Sequence, residues 1–322
     1  MIDSLQQTFL LHLQDSSLPS TPAALYDPVD YILHLGGKRI RPLLTLMAAE
    51  AAGADLEQAL PAARAIEVFH NFSLVHDDIM DEAPLRRGRA TVHEKWDSNT
   101  AILSGDVMLV LAYEALNAYP SPLFKSLTQL FSKTAREVCE GQQYDMDFPQ
   151  QAAVSHAQYL EMIRLKTAVL LGCALQMGAM IGGLSSQESQ PFYDYGILLG
   201  LAFQLQDDYL DAFGDPATFG KQVGGDIIEN KKTMLYILTM EKGTASVKRQ
   251  LRDWCSQQAA DPSEKVAAVK ALFKAAKADR AIQSLIKEYT DNALSKVTLF
   301  PIEEQQKDRF RKFAQALMER QL

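Results

Sequence analysis

The stretch HDDIMDEAPLRRGRATVH, residues 76–93, places three acids within five residues and then three arginines within four. The largely apolar segment IEVFHNFSLV precedes it, with Ile66, Phe69 and Ser73 at steps of three and four residues, which is typical of a helix. Asp77 and Asp81 then lie on one face of that helix, about one turn apart. Like charges at this spacing destabilise a helix by roughly 0.2–0.5 kcal/mol, so the pattern indicates a cation that compensates them.

A second segment, FQLQDDYLD, repeats this arrangement later in the chain. Its acids Asp207, Asp208 and Asp211 have the same spacing as Asp77, Asp78 and Asp81. One DDxxD can arise by chance on an acidic surface helix, but two, each at the end of an apolar helix, indicate a shared role. The candidate ligands are all oxygens, which favours Mg²⁺ over Zn²⁺. Mg²⁺ held by a few carboxylates completes its shell with water and substrate phosphate, so a phosphorylated substrate is expected.

Basic residues follow each acidic motif and also stand in the segment GGKRIRP, residues 36–42. Guanidinium groups bind phosphate oxygens through paired hydrogen bonds, and the two glycines allow the backbone to approach a ligand closely. The predicted phosphate-binding residues are Lys38, Arg39 and Arg41 in GGKRIRP, Arg86 and Arg87 after the first acidic motif, and Lys221, Lys231 and Lys232 after the second. Acids for metal and bases for phosphate therefore occur together twice.

Helical periodicity is common along the chain, whereas alternating strand patterns are nearly absent. The breaks are short and contain proline, and no linker rich in glycine or serine divides the sequence. We therefore predict an all-α fold in which residues 1–322 form a single large domain of helices around a central cavity. The uncharged segment 167–187 approaches the length of a membrane span. It contains Gln176 and four glycines, which favours a buried core helix, and we predict no transmembrane segment.

Composition excludes several other classes. The 322 residues carry a net charge of −8, which argues against nucleic acid as a partner because phosphate backbones require a basic surface. Cys139, Cys173 and Cys255 are widely spaced and odd in number, which is typical of reduced thiols in a cytoplasmic protein. The first residues lack a basic region and a cleavage site, so we expect no signal peptide.

The chain carries a series of motifs in a defined order: GGKRIRP, SLVHDDIMDEAPLRRG, GQQYD, LKT, FQLQDDYLD and GK…DIIENKKT. This series resembles that of the trans-polyprenyl diphosphate synthases, which include farnesyl and geranylgeranyl diphosphate synthases, and the match spans residues 36–233. The resemblance implies the isoprenoid synthase type of helical fold with a prenyl-binding cavity, a homodimer, and Mg²⁺. It also implies head-to-tail condensation of isopentenyl diphosphate with an allylic diphosphate.

The resemblance also implies roles for individual residues. Both acidic motifs would hold three Mg²⁺ ions against the allylic diphosphate, with Asp77, Asp81 and Asp207 as the principal ligands. Arg86, Lys166, Lys221 and Lys231 would surround that diphosphate. Lys38, Arg41, His70 and Arg87 would hold isopentenyl diphosphate without metal. Thr167 and Gln204 would place oxygens near the allylic carbon.

Product length is expected to depend on residues that precede Asp77, where the growing chain would enter the apolar interior. Family resemblance points to Ser73 and Phe72, four and five residues before the motif. Ideal helix geometry puts Ser73 nearly in line with Asp77 and Phe72 about 140° around the axis. We nevertheless predict Phe72 as the floor, since its ring is large enough to reach the path, with ordinary core packing as the alternative. A bulky residue beside a small one favours a C20 product, with C15 next.

Two other functions fit parts of the pattern. A terpene cyclase would share one DDxxD and the helical fold, but it would not need GGKRIRP for a second diphosphate. A non-catalytic helical partner subunit of a prenyltransferase would be expected to lose acids or bases, and both sets are complete here.

Overall fold

The computed structural model describes residues 2–15, 18–215, 224–256 and 262–319, and the regular secondary structure of these residues is almost entirely helical. The helices are α1 (Ile2–Asp15), α2 (Ala23–Leu33), α3 (Ile40–Ala51), α4 (Leu56–Met80), α5 (Val92–Lys95), α6 (Ser98–Ala115), α7 (Leu123–Asp147), α8 (His156–Ile163), α9 (Val169–Ile181), α10 (Gln190–Phe213), α11 (Gly225–Ile228), α12 (Met234–Lys242), α13 (Ala245–Ser256), α14 (Pro262–Ala275), α15 (Ala278–Val297) and α16 (Glu304–Met318). The predicted all-α fold is confirmed.

Helices α4 and α10 bring the two acidic motifs to the site. α4 buries Ile66, Phe69 and Phe72 against its neighbours and ends at Met80, so the first motif forms its last turn. α10 is built in the same way and ends at Phe213, just beyond the second motif. An apolar helix that finishes in acids can reach from the core to the mouth of a cavity. The two motifs therefore occupy equivalent places on two long helices.

A short antiparallel hairpin, β1 (Leu85–Arg86) and β2 (Arg89–Ala90), follows α4. Its two turn residues, Arg87 and Gly88, have φ values of 53° and 74°. Positive φ at both central positions is characteristic of a tight hairpin turn that matches the strand twist. The hairpin returns the chain towards α4 and thereby presents Arg86 and Arg87 beside the first acidic motif.

Helix α9 forms the centre of the core, as its uncharged sequence predicts. It packs closely on α3 because Gly178 has no side chain: a Cβ there would lie 2.2 Å from the carbonyl oxygen of Thr45. Two stretches, Ser98–Ala118 and His156–Ile181, are long and apolar enough to cross a bilayer by length and composition alone. The second is 83% buried inside the protein, as a core helix is, whereas the first is only 33% buried.

A five-residue π-helical turn, Arg164–Ala168, joins α8 to α9 and carries Lys166 and Thr167. Such turns widen a helix locally and are frequent at functional sites. Gly141 of α7 lies directly against this turn, since a Cβ there would be 2.3 Å from the backbone nitrogen of Lys166. The glycine of the GQQYD motif is thus required by the close approach of two backbones.

Candidate active site

Two adjoining cavities lie between α4, α7, α9 and α10. The first has a volume of about 360 Å³, and its wall includes Asp81, Asp145, Asp208, Asp226, Lys231 and Gln204. The second, about 240 Å³, is bordered by Arg41 and His70 and then by apolar residues such as Val138 and Leu170. Lys166 and Thr167 line both cavities. A polar chamber and a largely apolar one therefore meet at the π-helical turn.

Lys166 connects the first acidic motif to α7. Its Nζ donates hydrogen bonds to Asp77 Oδ1 at 3.0 Å and to Asp145 Oδ2 at 2.6 Å. Burial alone would lower the pKa of Lys166, but these two carboxylates raise it above its ordinary value. Lys166 is therefore a permanent cation at the junction of the cavities, and Asp77 and Asp81 both lie on the cavity walls.

The middle acid of the first motif faces away from the cavities. Asp78 is 1% exposed and accepts hydrogen bonds from Arg86 Nε at 2.8 Å and from Arg86 Nη2 at 2.6 Å. Burial raises the pKa of Asp78, although the Arg86 guanidinium opposes that shift. Arg86 Nη2 also lies 3.7 Å from Asp77 Oδ2. Arg86 therefore lies beside the first acidic motif and forms an ion pair with Asp78 there.

The middle acid of the second motif is also buried, but unlike Asp78 it lines the first cavity. Asp208 is 3% exposed, and its Oδ2 accepts hydrogen bonds from Tyr159 Oη at 2.6 Å and from the Met234 backbone nitrogen at 3.3 Å. Burial, followed by the negative charge of Asp226, raises the pKa of Asp208 to about 8. Asp211 accepts a hydrogen bond from the backbone nitrogen of Asp226 at 3.1 Å. The negative charge of Asp207 raises the pKa of Arg41, against the larger lowering effect of burial.

Gln204 is oriented by its neighbours on both sides. Its Nε2 donates to Asp208 Oδ1 at 3.3 Å, and its Oε1 accepts from the Thr167 hydroxyl at 3.2 Å. These two hydrogen bonds hold the Gln204 amide with its nitrogen towards Asp208 and its oxygen towards Thr167. The two predicted oxygens therefore lie together at the cavity junction, and Tyr159 supports them through Asp208.

GGKRIRP divides into buried and accessible cations, which corrects one prediction. Arg39 was expected to contact phosphate, but it has a φ of 51° and forms a buried ion pair with Glu67 and a hydrogen bond to the Leu33 carbonyl oxygen. The left-handed backbone at Arg39 turns its side chain inward. Lys38 is exposed at the start of the segment, and Arg41 reaches the second cavity.

Arg41, His70 and Arg87 form a compact cationic site. Arg41 Nη1 donates to His70 Nε2 at 3.1 Å, so His70 accepts as a neutral imidazole, and burial with the nearby arginines lowers its pKa well below the usual value. Burial lowers the pKa of Arg41 to about 10, and its buried Nε has no hydrogen-bond partner among the described residues. Arg87 donates to the Gly36 carbonyl oxygen and lies over Gly37, where a Cβ would be 2.7 Å from its Cζ. Two neighbouring arginines, one of which has an N–H donor without a partner among the described residues, favour the binding of an anion.

The lysines that follow the second motif differ in their contacts. Lys231 forms an ion pair with Glu229 at 2.8 Å, approaches Asp226 at 4.0 Å and lines the first cavity. Lys232 also lines this cavity, but its Nζ donates to the carbonyl oxygens of Phe148 at 3.0 Å and Pro149 at 3.3 Å, so it holds the loop after α7. Lys221 lies outside the described residues.

The residues predicted to control chain length both reach the second cavity. Ser73 and Phe72 line its wall together with Asp77, although Phe72 lies around the helix axis from the motif. Ser73 Oγ donates to the His70 carbonyl oxygen at 2.8 Å, as expected for a hydroxyl inside a helix.

This geometry matches a known family. The family model described as Polyprenyl synthetase matches residues 22–272. The chain belongs to the polyprenyl synthetase family. The prediction of the family and of its helical fold type is therefore confirmed.

Individual members of the polyprenyl synthetase family are similar over most of the chain. A geranylgeranyl diphosphate synthase of Methanosarcina mazei is 43% identical over 71% of this chain and 72% of its own. A crystal structure of a geranylgeranyl pyrophosphate synthase has 51% identity and a TM-score of 0.96, covering 99% of this chain and 98% of its own. The Corynebacterium glutamicum geranylgeranyl pyrophosphate synthase, solved with isoprenyl diphosphate and magnesium, has 28% identity and a TM-score of 0.84, covering 99% and 97%.

The site fits the Mg²⁺ that this family uses. No three His, Cys, Asp or Glu side chains in the described part of the chain converge closely enough to form a metal site alone. Asp81, Asp145, Asp208 and Asp226 nevertheless line one chamber, and their oxygens are the donors that Mg²⁺ prefers. Such a set suits an ion that takes part of its shell from substrate phosphate and water.

Three further residues of the site were not singled out from the sequence. Asp145 binds Lys166, Tyr159 binds Asp208, and Asp226 lines the first cavity between them. Asp145 ends the GQQYD motif and Asp226 stands in GGDIIENKK, so motif membership was an available signal for these two. Tyr159 carries no such signal, because only the tertiary structure brings α8 against α10.

Proposed function

We propose that this protein is a Mg²⁺-dependent prenyltransferase that joins isopentenyl diphosphate head to tail to an allylic diphosphate, with a C20 product favoured and C15 next. The observation that carries the proposal is the pair of separate anion sites at one junction, an acidic chamber for metal-bound diphosphate and the Arg41–His70–Arg87 site for a second one. The names of the geranylgeranyl diphosphate synthases described above support the same activity. A terpene cyclase would have no use for the second anion site.

The first step breaks the bond between the allylic carbon and the diphosphate oxygen, and the electron pair leaves with the diphosphate. Bound Mg²⁺ would neutralise that leaving charge, with Asp77, Asp81 and Asp207 as principal ligands. Lys166 stands where both cavities meet and adds fixed positive charge without reorganisation. Arg86, Lys221 and Lys231 would complete the cationic surroundings of this diphosphate.

The allylic cation needs lone pairs and a dry surface rather than a nucleophile that would capture it. Thr167 Oγ1 and Gln204 Oε1, 3.2 Å apart, are placed to supply those lone pairs at the cavity junction. The isopentenyl double bond attacks the cation and forms the new carbon–carbon bond. A proton is then lost to the departing diphosphate.

We assign three Mg²⁺ ions to the allylic diphosphate and none to isopentenyl diphosphate. Asp78, Asp208 and Asp211 are the remaining acids of the two motifs. The burial of Asp78 and its ion pair with Arg86 support a role in holding the first motif, whereas Asp208 lines the first cavity and orients Gln204 there. Lys38 would join Arg41, His70 and Arg87 around isopentenyl diphosphate.

The prenyl chain would occupy the second cavity, with Phe72 as its floor and Ser73 beside it. The apolar lining of that cavity, which includes Val138 and Leu170, supports this assignment. Phe72→Ala should then lengthen the products of a folded enzyme. Unchanged product length in that variant would leave Phe72 as an ordinary core residue.

We further propose a cytoplasmic homodimer without a membrane span, in which residues 1–322 act as one domain. Ile102, Leu103 and Val110 expose apolar side chains on α6, and a second copy of the chain is the occupant that would bury them. Leu103→Glu should convert the dimer to a monomer in sedimentation experiments. A wild-type protein that sediments as a monomer would contradict this assembly.

Product analysis with labelled isopentenyl diphosphate and geranyl or farnesyl diphosphate tests the activity directly. A prenyltransferase releases a longer diphosphate, a cyclase releases hydrocarbon, and a non-catalytic subunit releases nothing. Asp77→Ala is the matched negative control, since it removes one carboxylate and leaves the second anion site intact. A hydrocarbon product or no product from the wild-type protein would overturn the proposed function.

A further inference from the structure

The ring of Phe72 is held between two other rings on one face of α4. Its centroid lies 5.5 Å from that of Phe69 and 4.9 Å from that of His76, whose plane is inclined by 65°. Residues three and four positions apart share a face of a helix, so the three rings form a row along α4. Because both neighbours are in contact with it, Phe72 cannot turn along the row without displacing one of them.

His76 is itself fixed by α6. Its Nε2 lies 3.2 Å from the carbonyl oxygen of Ile102, to which it can donate a hydrogen bond. A Cβ built on Gly105 would lie 2.2 Å from that nitrogen and 2.5 Å from Cδ2. The imidazole therefore occupies the space that any side chain at position 105 would fill. The carboxylate of Asp106 is 3.9 Å from Nε2, too far for a hydrogen bond.

Both Phe72 and His76 line the second cavity, which also contains Asp77 and Lys166 at its reactive end. The position of the Phe72 ring therefore affects how far a chain can extend from the acidic motif. His76 stands behind that ring on the side of α6. Without the imidazole, Phe72 could swing along its helix face, and with a crowded imidazole it would be pushed towards the cavity.

We propose that His76 and Gly105 together determine product length. The His76 imidazole keeps the Phe72 ring in place, and Gly105, which has no side chain, leaves room for that imidazole. This inference rests on the proposed function, in which the prenyl chain occupies the second cavity. His76 and Gly105 are specificity-determining residues in this account, since neither is assigned contact with the reacting atoms.

Two single variants should move product length in opposite directions. His76→Ala should lengthen the products because Phe72 gains room beside α6. Gly105→Ala should shorten them because the new methyl group forces the imidazole towards Phe72. Either shift should change the ratio of longer to shorter products by at least about tenfold, since one methylene in an apolar pocket changes specificity by about 10–200-fold. The ratio is measured by chromatography and mass spectrometry of the dephosphorylated alcohols and does not depend on total turnover.

The double variant His76→Ala/Gly105→Ala separates a direct contact from a general effect on α6. Without the imidazole there is nothing for the methyl group to push, so the double variant should give the same product ratio as His76→Ala alone. If Gly105→Ala alone does not fold, His76→Ala and the double variant still decide the matter. Asp106→Asn is the control for charge, and its product ratio should equal that of the wild type.

The outcomes distinguish this inference from the function on which it rests. If the wild-type protein makes no prenyl diphosphate, the proposed function itself is wrong. Longer products from Phe72→Ala but unchanged product ratios in His76→Ala and Gly105→Ala would contradict the role of His76 and Gly105. The assignment of the second cavity to the prenyl chain would then remain. Additive effects of the two substitutions in the double variant, or an equal shift in Asp106→Asn, would also contradict the role of His76 and Gly105.

Discussion

Tyr159→Phe removes one hydroxyl from the support of the second acidic motif and should affect both stability and turnover. Tyr159 Oη donates to the buried carboxylate of Asp208 at 2.6 Å, and Asp208 in turn orients the Gln204 amide at 3.3 Å. The net contribution of such a bond is about 0.5–1.5 kcal/mol for a neutral acceptor and about 1.5–3 kcal/mol for a charged one. The decrease in the free energy of unfolding caused by Tyr159→Phe therefore depends on whether Asp208 is ionised.

The pH dependence has a definite sign. Burial raises the pKa of Asp208 to about 8, above its unfolded value, so this group contributes stability at low pH that is lost as pH rises towards 8. The Tyr159 hydroxyl favours the ionised form and limits that loss. In metal-free protein, Tyr159→Phe should therefore cost about 0.5–1.5 kcal/mol at pH 6 and about 1.5–3 kcal/mol at pH 9. Burial keeps the Tyr159 hydroxyl protonated at both values by raising its pKa well above 10.

Tyr195→Phe is the matched control. Tyr195 is also fully buried, but its hydroxyl donates to the neutral carbonyl oxygen of Phe310 at 2.9 Å. Removing this hydroxyl should lower the free energy of unfolding by about 0.5–1.5 kcal/mol at both pH values, with no change in turnover. Urea unfolding in EDTA at one fixed protein concentration measures these differences for both variants.

Turnover provides the second readout. Tyr159→Phe should lower kcat about tenfold, equivalent to about 1.4 kcal/mol, because Gln204 loses part of its support near the allylic carbon. The KM values should remain within about twofold, since phenylalanine keeps the ring of Tyr159 in the wall of the first cavity and the second anion site is unchanged. Equal stability losses in Tyr159→Phe and Tyr195→Phe at both pH values, together with an unchanged kcat, would refute this reasoning.

Three further predictions concern the metals, the second anion site and the packing of α7. Asp77→Ala and Asp207→Ala should each lower kcat by at least about 100-fold while the circular dichroism spectrum is retained, since they remove stabilisation of developing charge; near-normal turnover in either would exclude that residue as a principal ligand. Lys38→Ala should raise the KM for isopentenyl diphosphate more than that for the allylic substrate, and equal changes in both KM values would show that the sites are divided wrongly. Gly141→Ala should cost about 1–3 kcal/mol in thermal unfolding because its methyl group would meet the backbone at Lys166. It should also lower kcat by displacing that lysine, so a variant with wild-type stability would mean that α7 can move away freely.

The local pattern of residues was sufficient for the fold class and for the ends of the two principal helices. Apolar steps of three and four residues require a helix with a buried face, and acids that close such a face must lie where it reaches solvent. The paired DDxxD motifs therefore indicated two helices that meet at a metal and phosphate site. The uncharged segment 167–187 indicated a core helix for the same reason, because only other apolar surfaces can cover it.

Only the tertiary structure decided which partners hold the acids of each motif. Within a DDxxD sequence all three acids are chemically equivalent, but Arg86 from the hairpin binds Asp78, and Tyr159 from α8 binds Asp208. Similarly, Arg39 and Arg41 are two residues apart in one basic segment, yet the left-handed backbone at Arg39 turns it into the core beside Glu67. A polar or charged side chain is buried where a group from another element pairs with it or forms a hydrogen bond to it, and sequence spacing along one helix does not contain that partner.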